Sequence, residues 1–174
     1  MVKQFIWILF AMLLIGLSGC FHCSQSNGGK ATPILEVIYR GIDCERTESE
    51  PGAVWISNRQ QLVHVYDQVN KSVIRSVQDR IPNIDFSRFG VLMIMMGQRP
   101  TGGFRLQLGE KQVLIKDDKA KVYIQWVEPP EDAILPQMTS SPCLMLKLPK
   151  KGYSQIHVLD QNGRLRAEVS LDQL

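Results

Sequence analysis

Apolar residues recur with three different periods along this chain, and each period predicts a different element. Leu62, Val65, Tyr66 and Val69 fall at i, i+3, i+4 and i+7, the stripe of an amphipathic helix. Ser57 or Asn58 stands where the N-cap belongs, with Gln60 or Gln61 three residues on, as a capping box requires. Residues 34–40 read as a first strand, residues 45–52 as a charged loop and residues 53–56 as a short apolar piece. Residues 91–96 (VLMIMM) are apolar without a break over the length of one strand, so both faces must be covered and the strand belongs in the middle of a sheet. Phe104, Leu106 and Leu108 alternate with Arg105 and Gln107, and residues 113–115 and 122–126 flank a turn at Asp117-Asp118. Residues 143–148 (CLMLKL) predict a further buried strand. Residues 153–159 and 164–171 form a last hairpin about Asn162-Gly163, with Leu165, Ala167, Val169 and Leu171 turned inward. About seven or eight strands and one helix predict a mainly β fold, a single β-sandwich or open-barrel domain with one amphipathic helix (α+β), over residues 34–174.

The first 19 residues follow another rule: one positive charge at Lys3, an apolar stretch over residues 5–17, and the small pair Ser18-Gly19 before Cys20. This is the layout of a secretory signal peptide. The 13 apolar residues of that stretch rise about 20 Å as a helix, short of a hydrocarbon core about 30 Å thick. Leu17-Ser18-Gly19-Cys20 resembles the lipobox of bacterial lipoproteins, in which the cysteine thiol receives a diacylglyceryl group and the leader is cut off before it. The resemblance implies a signal peptide at 1–19 and a lipid anchor at Cys20. Residues 20–33, polar and without periodicity, then form a flexible tether with an r.m.s. span of about 20 Å. Several acyl chains, at about 0.8 kcal/mol per buried methylene, make such attachment to the membrane long-lived. Phe21, rather than Asp, follows the anchor, which by the same analogy directs the protein to the outer membrane of the bacterial envelope.

Charge and cysteine usage narrow the function. The 174 residues suit one domain, and Lys and Arg exceed Asp and Glu only by 20 to 17, which argues against nucleic acid as a partner. Cys20 and Cys23 are spaced as C-x-x-C, but they lie beside the cleavage site and the first sulfur is acylated, so neither redox chemistry nor haem attachment is expected. His22 and Cys23 are too few to hold a metal. Cys44 and Cys143 both lie in the folded domain, in a compartment that permits oxidation, and a disulfide between them is expected. The alternative is that both are small buried hydrophobes. Cys23 is left as an unpaired thiol.

Reaction machinery is not evident. The chain contains no G-x-S-x-G, H-E-x-x-H, P-loop, G-x-G-x-x-G or EF-hand pattern. The histidines are His22, His64 and His157, none beside a convincing nucleophile in sequence, while Asp85, Glu110, Asp117 and Asp118 read as solvated loop carboxylates. No enzyme, cofactor or metal is expected. The most informative segment is Gly97-Gln98-Arg99-Pro100-Thr101-Gly102-Gly103-Phe104. Pro100 fixes one φ, and Gly102 and Gly103 can take positive φ, so the chain turns sharply while presenting Arg99 and Thr101. Arg99, Pro100, Thr101, Gly102, Gly103 and Phe104 are therefore the candidate partner-binding loop, against the alternative that the sequence serves loop geometry alone.

Ile84-Asp85-Phe86-Ser87 ahead of the apolar strand, then G-Q-R-P-T-G-G-F, Trp126 with Glu128-Pro129, and Thr139-Ser140-Ser141-Pro142-Cys143 together resemble the PrcB family. The resemblance spans residues 34–160, with Phe104 where Tyr is common. Members of that family are lipoprotein-type accessory subunits of a surface protease complex. It implies a non-catalytic protein that helps an exported protease mature or stay intact. The reading that follows is a lipid-anchored envelope protein that binds and stabilises another exported protein, with a protease as the candidate partner. Two alternatives stand beside it. P-T-G-G-F is also similar to the T-G-Y loop of chagasin-like cysteine-protease inhibitors, although that family's other two loops are not found. A structural envelope lipoprotein without a specific ligand is the other.

Overall fold

The unbroken apolar run becomes a central strand covered on both sides. The computed structural model describes residues 33–44, 46–69 and 81–171. The leader, residues 20–32 of the tether, and with them Cys20, His22 and Cys23 lie outside the described residues. In chain order the elements are β1 (Glu36–Gly41), β2 (Gly52–Ile56), α1 (Arg59–Val69), β3 (Phe89–Met95), β4 (Arg105–Leu108), β5 (Leu114–Lys116), β6 (Lys119–Val127), β7 (Cys143–Pro149), β8 (Gln155–Leu159) and β9 (Leu165–Ser170). Nine strands among the described residues exceed the seven or eight expected, because the short apolar piece at 53–56 also finds a partner, β3.

Two sheets result. The first has the order β1-β7-β3-β2 and is antiparallel throughout; the second runs β4-β6-β8-β9, with β5 pairing the start of β6 on the edge that β4 uses further along. The sheets face each other without closing into a barrel. Alternation along the strands decides the packing. Leu92, Ile94 and Met96 from the β3 run and Leu144, Leu146 and Leu148 from β7 point to the second sheet, where they meet Leu106, Val122, Ile124, Trp126, Ile156 and Val158. Val91, Met93, Met95, Cys143 and Met145 point the other way and are covered by Leu62, Tyr66 and Val69 of α1. The first sheet is thus the middle layer of three. Each fully buried Leu or Ile in these two cores contributes about 1.5–3 kcal/mol relative to an exposed position. Gly90 carries no Cβ because the Trp55 ring fills that space, with its nearest atom 2.1 Å from where a Cβ would stand.

The helix begins as its sequence dictates. Asn58 Oδ1 accepts the Gln61 N–H at 2.9 Å, and Gln61 Oε1 accepts the Ser57 N–H at 2.8 Å, so the cap is Asn58 and the reciprocal bond goes one residue further back than in a standard box. The helix end is tied to β1: Tyr66 OH donates to Ile38 O, and Tyr39 OH donates to Val69 O. Burial, and after it the neighbouring Tyr39, push the Tyr66 phenol up to about 12. Asp117 and Asp118 both take positive φ, 51° and 59°, which makes the β5–β6 turn a two-residue primed hairpin. The pair β6–β8 is parallel, with β7 of the other sheet inserted between the two in sequence. No local pattern encodes that crossover. In β9, Ala167, Val169 and Leu171 pack on the inner core as expected, whereas Leu165 at its start is 49% exposed.

Candidate functional site

Strand register sorts the loops to two ends. β1 runs from Glu36, opposite Lys147, to Gly41, opposite Cys143, and β2 enters at Gly52, opposite Met95. The loops at 42–51, 96–104 and 128–142 therefore gather at the Cys143 end of the first sheet, and the candidate loop lies in their midst.

It is held by its neighbours. Gly97 has φ 85°, and a Cβ there would stand 2.3 Å from Ser49 O, so only glycine lets the 46–50 segment pass this close. The next residue fixes that contact, with Gln98 N–H donating to Glu48 O at 2.8 Å. Arg99 and Ser140 exchange backbone hydrogen bonds of 2.7 and 3.0 Å, and Ser140 Oγ donates to Thr101 O at 2.8 Å. Gly103, φ 87°, turns the chain against Pro129 and Leu135. Gly102 does not take positive φ; the left-handed positions are Gly97 and Gly103 rather than the pair 102–103. The presentation of Arg99 also differs from expectation. Its Nη2 donates to Met96 O at 2.5 Å and the residue is half-buried, so the guanidinium closes the end of β3. Thr101, Gly102 and Phe104 are half-buried too, Phe104 lying against the inner core, while Pro100 and Gly103 are exposed.

Cys44 and Cys143 are joined by a disulfide with Cα atoms 6.1 Å apart. Beside it, Ser141 Oγ accepts N–H groups from Cys44 at 2.8 Å and Arg46 at 3.3 Å and donates to Asp43 Oδ1 at 2.6 Å. The Thr-Ser-Ser-Pro segment is thus a brace, one serine tying the β3–β4 loop and the next tying the β1–β2 loop. Arg46 continues inward, its Nη1 3.2 Å from Met95 Sδ and its Nε 3.4 Å from Glu48 Oε2. Next to it an open groove of about 540 Å³ lies between β2 and α1, floored by Met93, Met95 and Val54, with His64 at its rim.

What this end offers to solvent comes mostly from residues that local sequence patterns did not single out. Ile134 is 102% exposed, Met138 63% and Ile42 73%, and the acids Glu128, Glu131 and Asp132 flank Ile134 in the same loop. Apolar residues inside a proline-bracketed acidic loop (EPPEDAILPQM) were the available signal. The remaining candidates scatter. Asp85 lies at the opposite end, where its bonds from the Ser87 side chain and backbone hold its carboxyl below the usual range. Asp118 accepts a bond from Ser154 Oγ, and His157 faces Glu168 across strands at 3.7 Å. Asp160 is buried in the β8–β9 turn. Burial raises its carboxyl, but the N–H groups of Arg164 and Asn162 and the Arg166 guanidinium outweigh this and hold it below the usual range. Among the described residues no three or more His, Cys, Asp or Glu side chains converge as metal ligands, and no helix is long and apolar enough to cross a membrane.

No match was found among curated proteins or among solved structures. A family model described as PrcB C-terminal does match, over residues 91–149, a narrower span than the 34–160 of the resemblance drawn from sequence. That span runs from β3 to the end of β7 and holds both the Gly97–Phe104 turn and the whole β6–β7 loop. Residues 91–149, the middle strands and the two loops that meet at the Cys143 end, are thus similar to the PrcB C-terminal family.

Proposed function

We propose that this protein is a non-catalytic accessory subunit, held to the bacterial envelope by an acylated Cys20, that binds and stabilises an exported protease through the loops at the Cys143 end. The observation that carries the reading is the coincidence of the family match with a pair of interlocked loops, one fixed in shape and the other bearing exposed Ile134 and Met138. The fixed loop braces the other through Arg99 with Ser140 and Gly102 N–H with Pro136 O, so the loop that carries Ile134 and Met138 has part of its ordering entropy already lost before association. The acids around Ile134 add a preference for a basic surface ringing an apolar pocket. On this reading Arg99, Thr101 and Gly102 support the loop rather than touch the partner.

Affinity capture of the intact protein from envelope extracts, followed by mass spectrometry, tests the reading. Capture of an exported protease that is lost with Ile134→Asp and retained with Gly102→Ala is the expected result. Identical capture by the wild type and Ile134→Asp would remove this loop from the interface. Metabolic labelling with palmitate tests the anchor separately: wild type is labelled and Cys20→Ser is not.

A further inference from the structure

The opposite end of the first sheet has the reverse chemistry. β7 leaves the sheet at Pro149 into Lys150-Lys151, β3 enters it after Arg88, and β2 leaves it into Ser57 and Arg59. These are drawn together by Lys150 N–H donating to Arg88 O at 2.9 Å, by Lys150 Nζ donating to Ser57 O at 2.7 Å and by Arg59 Nη1 donating to Pro82 O at 2.7 Å. Two half-buried aromatic rings lie among the cations: Arg88 and Lys147 are 5.4 and 5.1 Å from the Phe89 ring centre, and Lys150 is 5.9 Å from that of Phe86. Of the acids in these segments, Glu36 is paired with Lys147 and Asp85 is bonded to Ser87. Arg59, Arg88 and Lys151 are exposed. The adjoining β5–β6 turn, Lys116-Asp117-Asp118-Lys119, is neutral as a whole.

The chain reaches the domain at this same end. β1 and β7 are antiparallel neighbours, so walking back from Glu36 and forward from Lys147 leads out of the sheet on one side. There Pro33 O accepts the Val113 N–H at 3.1 Å. Pro33, the first described residue, thus lies at the basic end, and the acidic, apolar loops lie at the other.

We propose that the cluster of Arg59, Arg88, Lys150 and Lys151 docks on an anionic lipid surface and sets the orientation of the domain above it. The proposal rests on the membrane-anchored reading for its setting but not for its chemistry. The attraction between exposed charges fades over a Debye length of about 8 Å at physiological salt. Contact by one end alone is then favoured, and it is the end from which the tether leaves. The Cys143 loops are thereby presented outward to a partner.

The test uses the chain from residue 20 onward with Cys20→Ser, so that no acyl chain contributes, in sedimentation with vesicles. Binding to vesicles containing phosphatidylglycerol and release by salt are expected, with none to pure phosphatidylcholine. Arg88→Ala with Lys151→Ala lowers the partition coefficient about 25-fold, taking about fivefold for each cation near the surface. The exchange Arg88→Lys with Lys151→Arg preserves binding, and Glu131→Ala with Asp132→Ala at the other end leaves it unchanged. Equal sedimentation with both vesicle types overturns the proposal, as does an undiminished partition coefficient in the double alanine variant. Palmitate labelling and partner capture read other residues, so either can fail without this result changing.

Discussion

Two glycines five residues apart in one loop make opposite predictions on replacement by alanine. At Gly97 the φ of 85° lies in the left-handed region, where an L side chain costs about 1–2 kcal/mol. The added Cβ would also stand 2.3 Å from Ser49 O and 2.8 Å from Glu50 O. Those are backbone atoms, so the 46–50 segment must shift and the 2.8 Å bond from Gln98 N–H to Glu48 O weakens or breaks, at about 0.5–1.5 kcal/mol. Together Gly97→Ala destabilises by about 1.5–3.5 kcal/mol, which lowers Tm by on the order of 10 °C in a domain of this size. At Gly102 the nearest atom to an added Cβ is Pro136 Cδ at 3.7 Å, and φ is not positive. Gly102→Ala therefore changes stability by less than about 0.5 kcal/mol. Thermal and urea unfolding followed by circular dichroism measures both. Equal effects at the two positions, or a neutral Gly97→Ala, would refute the claim that close approach of the 46–50 segment fixes this turn.

Other outcomes follow from the same geometry. Cys44→Ala with Cys143→Ala removes a crosslink over a sequence separation of 99 and costs up to about 4.7 kcal/mol in the chain-entropy model; reductant should lower the wild-type denaturation midpoint by a similar amount and leave the variant unmoved. Asp160→Asn loses the bond to Arg166 and the charge that its buried carboxylate shares with two N–H groups. Because the folded carboxyl is held below its unfolded value, the stabilisation is present above a pH of about 4 and is lost as pH falls through the folded pKa, so the wild-type advantage over Asp160→Asn in urea midpoints shrinks on acidification. The phenols of Tyr39, Tyr66 and Tyr153 are all raised, mainly by burial, with Tyr66 at about 12. Unfolding releases their protons sooner, so stability is complete below a pH of about 10 and falls above it, and Tyr66→Phe flattens that alkaline decline in a pH series of melts.

Much of the fold was legible because its signals are local. Residues 91–96 and 143–148 are apolar on both faces, and these become the two central strands of a covered sheet. The i, i+3, i+4, i+7 stripe and the Asn58-to-Gln61 cap mark the helix within a residue or two. Asp117-Asp118 tolerates positive φ because short polar side chains fit that region, and it marks its hairpin. What remained illegible depends on distant parts of the chain. Nothing near Lys119 or Gln155 tells that these residues pair in parallel, since the intervening β7 belongs to the other sheet. Leu165 continues an alternating pattern, yet it stands at the margin of the sandwich, where the opposite sheet no longer covers it.

The candidate site divides along the same line. Pro and Gly announced a tight turn at 97–104, and a tight turn is what forms. Which side chains that turn would expose was a tertiary question, and the answer differs from the one the sequence suggested. An arginine in a glycine-rich loop reads as an offered cation, but Met96 O at the end of a buried strand needs a donor, and Arg99 supplies it. The same logic holds for Ser140 and Ser141, whose hydroxyls are spent on Thr101 O and Asp43 and on the N–H groups of the β1–β2 connection. Arg99, Ser140 and Ser141 are therefore engaged in holding three loops together. The large apolar side chains exposed at this end are Ile134, Met138 and Ile42, with Glu128, Glu131 and Asp132 in the loop of Ile134. A single exposed isoleucine on a mobile loop would call for no explanation. On the proposed reading these side chains stand on loops bonded to one another at Arg99 with Ser140 and Gly102 with Pro136, beside the disulfide, so part of the ordering that association would require is completed when the domain folds.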